Sequence, residues 1–185
     1  MAGMEPQRQR RPAEPRVTSA TSATRATSAV LAEERPARDE LARLYSSVGW
    51  TAYTRDLDRL VAAVAGSACV LTAREPGTGA LIGLVRTVSD GHTIVYVQDL
   101  LVDADHQRAG VGRALLDGVL DRSRHVRQVV LTTDAEEGQR AFYEAGGFTE
   151  VHDVTPGPLR SFVRFGRPGD ADGPDDRPDS RPADA

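Results

Sequence analysis

The apolar residues in the middle of the chain recur with two spacings, one typical of helices and one typical of strands. Helical spacing predicts four helices, at 41–48, 57–64, 111–120 and 134–146. Alternating or continuous apolar runs predict seven strands, at 29–33, 69–74, 80–89, 93–102, 128–133, 148–154 and 160–165. The resulting order, β-α-α-β-β-β-α-β-α-β-β, predicts an α/β domain whose mixed sheet is flanked by helices.

Three local signals set the predicted boundaries more closely. The pair Asp90-Gly91 lies between two apolar segments, which is typical of a hairpin with a two-residue type I′ turn. Thr54 is placed to cap the second helix, because its hydroxyl can accept a hydrogen bond from a first-turn amide. The fourth helix is expected to begin at Asp134, which forms a pair resembling a capping box with Glu137. It is expected to end near Gly146-Gly147.

Composition limits the folded domain to residues 27–165. The segments 1–26 and 166–185 contain no aromatic residue and hold seven of the eleven prolines. Such segments cannot bury enough apolar surface to offset the entropy that ordering would cost. We therefore predict a disordered tail rich in Arg, Thr and Ser at 1–26 and a disordered acidic tail rich in Pro and Asp at 166–185.

All 23 basic residues are arginine, so the chain contains no lysine. This composition excludes a phosphate loop with its lysine and a Schiff-base lysine. The net charge is −4, and because the tails carry +3 and −3 the domain also keeps −4, which argues against a nucleic-acid-binding surface. The basic segment Arg8-Gln9-Arg10-Arg11 is either a solvated tail or a contact for an anionic partner.

Cys69 is the only cysteine, which excludes an intrachain disulfide and a thiolate zinc cluster. We expect no metal, a reducing cytoplasmic compartment, and a Cys69 side chain that is buried as a small apolar group. No apolar run approaches the roughly 18 residues of a membrane-spanning helix, so no contact with a membrane is predicted.

Two glycines at the predicted start of the third helix are the first candidates for chemistry. Gly110 and Gly112 flank one residue between the predicted strand and helix. First-turn amides of a helix favour anions, and glycines let a phosphate approach the backbone closely. Leu115 stands where a dinucleotide fingerprint requires Gly or Ala. The glycines therefore either cradle a phosphate of another kind or only turn a strand into a helix.

The segment Gln107-Arg108-Ala109-Gly110-Val111-Gly112 resembles the acetyl-CoA motif Arg/Gln-x-x-Gly-x-Gly/Ala of the GCN5-related N-acetyltransferase (GNAT) superfamily. A second segment, Ala141-Phe142-Tyr143-Glu144-Ala145-Gly146-Gly147-Phe148, is similar to the family's Phe-Tyr-x-x-x-Gly-Phe element. With the predicted order of elements, the resemblance covers residues 29–165. It implies the GNAT-type acyl-CoA N-acyltransferase fold with acetyl-CoA as cosubstrate.

The resemblance also implies roles for particular residues. In the family, the strand before the glycine loop separates from its parallel neighbour and leaves a gap for the pantetheine arm. On this sequence, the strand backbone at that gap belongs to Leu100, Leu101 and Val102. The implied cofactor-binding residues of the loop are Gln107, Arg108, Ala109, Gly110, Val111, Gly112 and Arg113. The amides of residues 108–113 would bind the pyrophosphate, and each of the two arginine side chains is either a further ligand or solvated.

Tyr143 matches the family tyrosine that protonates the departing CoA thiolate, and simple packing beside Phe142 is the alternative. Glu136 departs from the family pattern, because many members carry at this position an asparagine that helps to hold the cofactor. The resemblance therefore implies a catalytic tyrosine but not every cofactor contact.

The acceptor side requires a group that takes a proton from the amine, because an aliphatic amine is protonated near neutral pH. Asp99 lies on the gap strand, where burial makes a carboxylate a stronger base, and it is predicted to act as the base or to orient a water. Accepting backbone hydrogen bonds is its alternative role. Gln98 is expected to face the other side of the sheet. Trp50 and Tyr53 are predicted to line the acceptor site together with the loop 153–160, or else to pack in the core.

The predicted function is transfer of an acetyl group from acetyl-CoA to a primary amine, by direct attack within a ternary complex. Cys69 lies outside both motifs, so no covalent acyl-enzyme is expected. Small molecules and proteins that carry an amine both fit as acceptors, and a homodimer is compatible with the sequence. Two other functions stay open: an acyl-CoA-binding regulatory or sensor domain without turnover, and an interaction factor that uses the arginine-rich arm.

Deleting residues 1–26 and 166–185 is expected to leave the melting temperature and the rate of acetyl transfer nearly unchanged, because neither segment can contribute to a core. Thermal unfolding and a transfer assay on the shortened chain measure both quantities. A loss of several degrees, or of transfer, would show instead that a tail docks on the domain or serves the acceptor.

Overall fold

The sheet runs through the middle of the domain. The computed structural model describes residues 29–165, and within this range five strands pair in one sheet: β1 (Val30–Glu33), β2 (Cys69–Arg74), β3 (Leu81–Ser89), β4 (Ile94–Val102) and β5 (Gln128–Val130). Their order in the sheet is the order in the chain. Neighbouring strands pair antiparallel except β4 and β5, which are parallel. The predicted mixed sheet is therefore confirmed.

Helices cover both faces of this sheet, and they are α1 (Arg38–Ser47), α2 (Thr51–Thr54), α3 (Leu57–Ala65), α4 (Val111–Arg122) and α5 (Glu137–Ala145). One apolar core lies under α1 and α3, where Leu44 and Leu60 pack with Leu84 of β3. A second core lies under α4, where Leu115 packs with Val85. Because successive residues of a strand point to opposite faces, Leu84 and Val85 serve different cores.

The start of α4 lies close to the sheet at Gly83. A Cβ atom on Gly83 would be 3.0 Å from Leu115 Cδ1, 3.1 Å from Val111 Cγ1 and 3.3 Å from the Leu101 carbonyl oxygen. Gly83 pairs with Val102, the last residue of β4. The missing side chain therefore lets the first turn of α4 pack directly beside the end of β4.

Both predicted helix starts that relied on capping are wrong. Thr54 is the last residue of α2, where its hydroxyl donates to the Thr51 carbonyl at 3.3 Å. Asp56 directly precedes α3 and caps it, accepting a hydrogen bond from the Arg59 amide at 2.9 Å. The last helix begins after Glu136 and not at Asp134, because the first helical hydrogen bonds of α5 are made to the Glu136 carbonyl.

The turn between β3 and β4 is also wider than predicted, since residues 90–93 form the loop in place of a two-residue turn. Asp90 Oδ1 accepts hydrogen bonds from the amides of His92 at 2.9 Å and of Thr93 at 2.8 Å. The Thr93 hydroxyl and these amides hold the pKa of the Asp90 carboxyl below its usual value. The aspartate therefore satisfies the loop amides itself, and this favours the wider loop.

The two strands predicted at 148–154 and 160–165 are absent, and β5 ends at Val130 rather than at residue 133. Residues 151–153 form a 3-10 turn, beside which Arg140 makes ion pairs with Glu150 and Asp153 at 3.1 Å each. Prolines at 156 and 158 lie in the connection between these two segments, where the Leu159 amide donates to the Val151 carbonyl at 2.7 Å. The chain that follows stays open to solvent, and Phe162 is 87% exposed.

The tails predicted at 1–26 and 166–185 lie outside the described residues. Among residues 29–165, no helix combines the length and the apolar character that crossing a membrane requires.

Replacing Gly83 by alanine is expected to destabilise the domain by about 1–3 kcal/mol, because the new methyl group meets α4 and a backbone carbonyl at short distance. Urea unfolding measures the change. Gly138→Ala is the matched control, since a Cβ atom at this helical position meets nothing within 4 Å and alanine favours the helix. Equal stabilities for Gly83→Ala and the wild-type protein would contradict the close approach of α4.

Candidate active site

β4 carries a β-bulge at Gln98. Arg86 of β3 pairs with Asp99, whereas the next residue of β3, Thr87, pairs with Val97, so Gln98 has no partner across the ladder. Before the bulge, Val97 faces the core under α4, and after it Leu101 faces the core under α1 and α3. The extra residue therefore shifts the alternation, and it turns Asp99 towards α1 and α2.

β4 and β5 separate immediately before this bulge. Their pairing covers Ile94 to Tyr96 on β4 and Gln128 to Val130 on β5, and it goes no further within the described residues. β4 itself continues to Val102, held by β3 on its other edge. Residues 97–102 thus border an open gap, in which alternate backbone amides and carbonyls have no strand partner. The separation that the resemblance implied is present at this place in the sheet.

The glycine loop follows at the end of β4. Arg108 and Gly110 both have left-handed backbone conformations, with φ of 59° and 86°. Gly110 is the N-cap of α4 without a side-chain cap, and the first helical hydrogen bond runs from the Ala114 amide to its carbonyl. The amides of residues 111–113 therefore have no partner inside the helix. Successive amides in such a turn form a concave site for an anion, and the helix dipole adds to it.

Three further side chains of the loop were predicted to bind the cofactor. The Gln107 side-chain amide donates to the Val102 carbonyl at 3.2 Å, which ties the loop to the end of β4. Arg108 is exposed. Arg113 donates to Asp117 Oδ1 at 2.8 Å and to the Ala145 carbonyl at 2.5 Å. Its guanidinium is therefore bound by protein groups, and only part of the side chain is exposed to solvent.

Tyr143 lies in the last turn of α5 and is half-buried. Its ring packs edge-on against Phe142 at 5.0 Å and Phe148 at 5.8 Å between centroids. Burial raises the pKa of the Tyr143 hydroxyl, and a hydrogen bond with the Thr133 side chain opposes this shift in part. The phenol therefore keeps its proton at neutral pH and is available as a donor.

Asp99 is the centre of a buried polar cluster. Its carboxylate is ion-paired with the Arg86 guanidinium, and the two side chains are only 1% and 7% exposed. Asp99 Oδ2 also accepts a hydrogen bond from the Tyr45 hydroxyl at 2.7 Å, and Oδ1 accepts one from the Tyr53 hydroxyl at 3.1 Å. Both carboxylate oxygens are thus occupied by side chains of the protein, not by backbone amides.

Arg86 and Tyr45 are the members of this cluster that the sequence analysis missed. Tyr45 lies at helical spacing with apolar residues and was counted as core. The signal for Arg86 was present, because a charged residue inside the apolar run 81–88 needs an opposite charge when that run is buried.

Tyr53 connects the Asp99 cluster to the surface. Burial, followed by the negative charge of Asp99, raises the pKa of the Tyr53 hydroxyl. The same hydroxyl also interacts with the Gln98 side chain, so the expectation that Gln98 faces the opposite side from Asp99 is wrong. The bulge is the reason, since it interrupts the alternation at this residue. Trp50 stacks on Tyr53 with 5.8 Å between ring centroids, and both rings also pack against the core under α1 and α3.

One group of possible metal ligands occurs in the described part of the chain, formed by the exposed side chains of Glu150, His152 and Asp153. Arg140 already makes ion pairs with Glu150 and Asp153 there. Its guanidinium therefore supplies these carboxylates with the positive charge that a bound cation would otherwise provide. Cys69 is half-buried, and burial raises the pKa of its thiol.

Replacing Arg86 by leucine is expected to destabilise the protein by about 3–5 kcal/mol, because the Asp99 carboxylate is left buried without a counter-charge. Arg124→Leu is the matched control, since its pair with Asp121 is largely exposed and contributes roughly 0–1 kcal/mol. The double variant R86L/D99L should recover much of the loss, because no buried charge remains. Urea unfolding of the four proteins measures these differences, and equal effects of R86L and R124L would contradict the buried pair.

The comparisons with known proteins agree with this geometry. Residues 49–157 match the sequence profile described as an acetyltransferase (GNAT) domain. The uncharacterized N-acetyltransferases of Pyropia yezoensis and Porphyra purpurea are each 26% identical over 120 residues, which cover 64% of this chain and 68% of theirs. A GNAT-family acetyltransferase from Streptococcus pneumoniae has a TM-score of 0.62 and 28% identity, and the match covers 75% of this chain and 98% of that one. The chain belongs to the GNAT acetyltransferase family, as its two motifs implied.

Proposed function

We propose that this protein transfers the acetyl group of acetyl-CoA to a primary amine, by direct attack within a ternary complex. The observation that carries the proposal is the junction at Gly112. A Cβ atom there would be 3.5 Å from Val102 Cγ2 and 3.7 Å from Phe142 Cζ. The anion-binding loop, the end of the open β4 edge and the helix that carries Tyr143 therefore meet at one residue.

Acetyl-CoA suits the groups that meet there. Its pyrophosphate is an anion of the kind that the free amides of residues 111–113 and the left-handed Gly110 can hold. Its pantetheine arm contains amides, which can pair with the backbone of Leu100, Leu101 and Val102 along the open edge of β4. When bound, acetyl-CoA supplies an activated acyl group as a thioester. The protein has to hold that thioester in the gap and stabilise the negative charge that develops on the sulfur of the departing CoA.

Tyr143 is the proposed donor to the departing sulfur. A thiol has a reference pKa of about 8.5, and the pKa of this phenol lies above its own reference value of about 10. Complete proton transfer from the phenol is therefore uphill. The main contribution we assign to Tyr143 is a hydrogen bond that strengthens as negative charge grows on sulfur in a partly desolvated site.

Asp99 is proposed to serve the acceptor through Tyr53. Because the carboxylate is buried and both of its oxygens are engaged, an amine in the gap can reach it only through the half-buried Tyr53 hydroxyl or a water bound to that hydroxyl. The Arg86 guanidinium pairs with this carboxylate, and the Tyr53 hydroxyl donates to its Oδ1 at 3.1 Å, so Tyr53 lies between Asp99 and the gap. Trp50, stacked on Tyr53, is the proposed wall of the acceptor site.

The reaction is assigned to the cytoplasm. Support for this assignment comes from a single cysteine that forms no disulfide within the described structure, in keeping with a reducing compartment.

Replacing Gly110 by alanine is expected to weaken acetyl-CoA binding about 5- to 30-fold. Alanine disfavours the left-handed conformation by roughly 1–2 kcal/mol, so the loop amides turn away from their present directions. Gly91→Ala is the matched control, because it places the same strain at φ 77° in the remote β3–β4 loop, where a Cβ atom meets nothing within 4 Å. Calorimetric titration measures both affinities. Unchanged binding by a folded Gly110→Ala protein would count against the loop as the phosphate site.

Release of the CoA thiol in the presence of a panel of primary amines tests the proposed function directly. The wild-type protein is expected to release CoA with at least one amine. Tyr143→Phe should lower kcat about 10- to 100-fold, the value of one hydrogen bond to a charged group, while the affinity for acetyl-CoA and the melting temperature barely change. A protein that binds acetyl-CoA and releases no CoA with any amine would instead be an acyl-CoA sensor, and equal rates for both proteins would remove Tyr143 from the mechanism.

A further inference from the structure

We infer that Arg113 is a positioning residue, which fixes α5, and with it Tyr143, against the glycine loop. The inference rests on the proposed function in one respect, namely the role of Tyr143 at the leaving sulfur. It gives Arg113 the role of holding α5, whereas the family resemblance implied a role in binding phosphate.

The Arg113 guanidinium bonds the C-terminal end of α5. Arg113 lies in the first turn of α4, and its Nη1 donates to the carbonyl of Ala145 at 2.5 Å. Ala145 is the last residue of α5. The last carbonyls of a helix have no partner inside it, and a cation at this end also interacts favourably with the helix dipole. Arg113 therefore acts as a side-chain cap for the C-terminus of α5, supplied by another helix.

Asp117 orients the Arg113 side chain. Arg113 Nε donates to Asp117 Oδ1 at 2.8 Å, one turn along α4. The two side chains are 40% and 48% exposed, so this pair by itself contributes little to stability. What it provides is orientation, because a planar guanidinium held at Nε points its other nitrogens in a fixed direction. That direction leads to α5.

Apart from the hydrogen bond to Ala145, few contacts join α5 to α4 in the part of the chain that the structure describes. No residue of α5 is buried. Beyond the contact of Phe142 with Gly112, its end approaches α4 at Gly146, where a Cβ atom would be 3.1 Å from Leu116 Cδ2. Arg140 of α5 pairs with Glu144 and with the turn that follows the helix, so it adds no link to α4. The hydrogen bond from Arg113 to Ala145 therefore adds a polar link between α4 and α5 to these two apolar contacts.

Backbone hydrogen bonds at the end of α5 connect Ala145 to Tyr143. The amides of Gly146 and Phe148 both donate to the Tyr143 carbonyl, at 2.9 Å and 3.1 Å. These bonds make the end of α5 one closed turn that contains Tyr143 and Ala145. A displacement of Ala145 therefore displaces the Tyr143 backbone, and small misplacements of a catalytic group are costly in rate.

The test compares Arg113→Gln with Arg122→Gln in the full-length chain. Arg122 is the matched control, because it also lies on α4 and also bonds one carbonyl and one carboxylate, but its partners are Gly118 and Glu33, away from α5. Arg113→Gln should speed hydrogen exchange of the α5 amides about three- to tenfold and lower kcat by a similar factor, with the KM for acetyl-CoA unchanged. Arg122→Gln should do neither. Asp117→Asn should show the same pattern as Arg113→Gln with smaller changes.

Two results would overturn the inference. If Arg113→Gln raises the KM for acetyl-CoA and leaves exchange in α5 unchanged, Arg113 is a phosphate ligand. If neither exchange nor kcat changes, the contact with Ala145 does not hold α5. Failure of the proposed function is recognised separately, as a wild-type protein that releases no CoA with any amine. Hydrogen exchange requires no turnover, so it still decides whether Arg113 holds α5 in that case.

Discussion

The buried ion pair of Arg86 and Asp99 lies where β4 changes the face to which its side chains point. Breaking either partner would leave a charge in the apolar interior, which is among the costliest defects a small domain can have. The pair therefore fixes the bulge at Gln98, and the bulge lets one strand supply Val97 to the core under α4 and Leu101 to the core under α1 and α3. The helices on both faces depend on this register.

The open edge of β4 begins at the same place. β5 leaves β4 after Tyr96, just before the bulge, and the part of β4 beyond it is held only by β3. Gly83 then allows α4 to start directly beside the end of β4, so that the amides at Gly110 and Gly112 lie at the end of the gap. Backbone groups without partners in a sheet or a helix are thus collected at one site, where a ligand can satisfy them.

Local sequence patterns predicted most of this arrangement, and their failures have physical causes. Apolar spacing predicted the elements from β1 to α4 except α2, because the apolar faces of those elements are buried in the two cores, whereas the short α2 has no buried residue. It failed at 160–165, where an equally apolar segment has no strand beside it and stays exposed. The two motifs predicted the loop and the position of Tyr143. The bulge, the Arg86–Asp99 pair and the contact of Arg113 with α5 join distant parts of the chain, so spacing along the sequence could not reveal them.

The central claim is that the open edge of β4 and the glycine loop together bind acetyl-CoA. Amide chemical shifts of the nitrogen-15-labelled protein during titration with acetyl-CoA test it most directly. The account predicts that the largest shifts fall on the amides of residues 100–102 and 108–113, while those of β2, on the other side of β3, stay in place. Saturable shifts confined to other segments, or no shifts at millimolar acetyl-CoA, would contradict it.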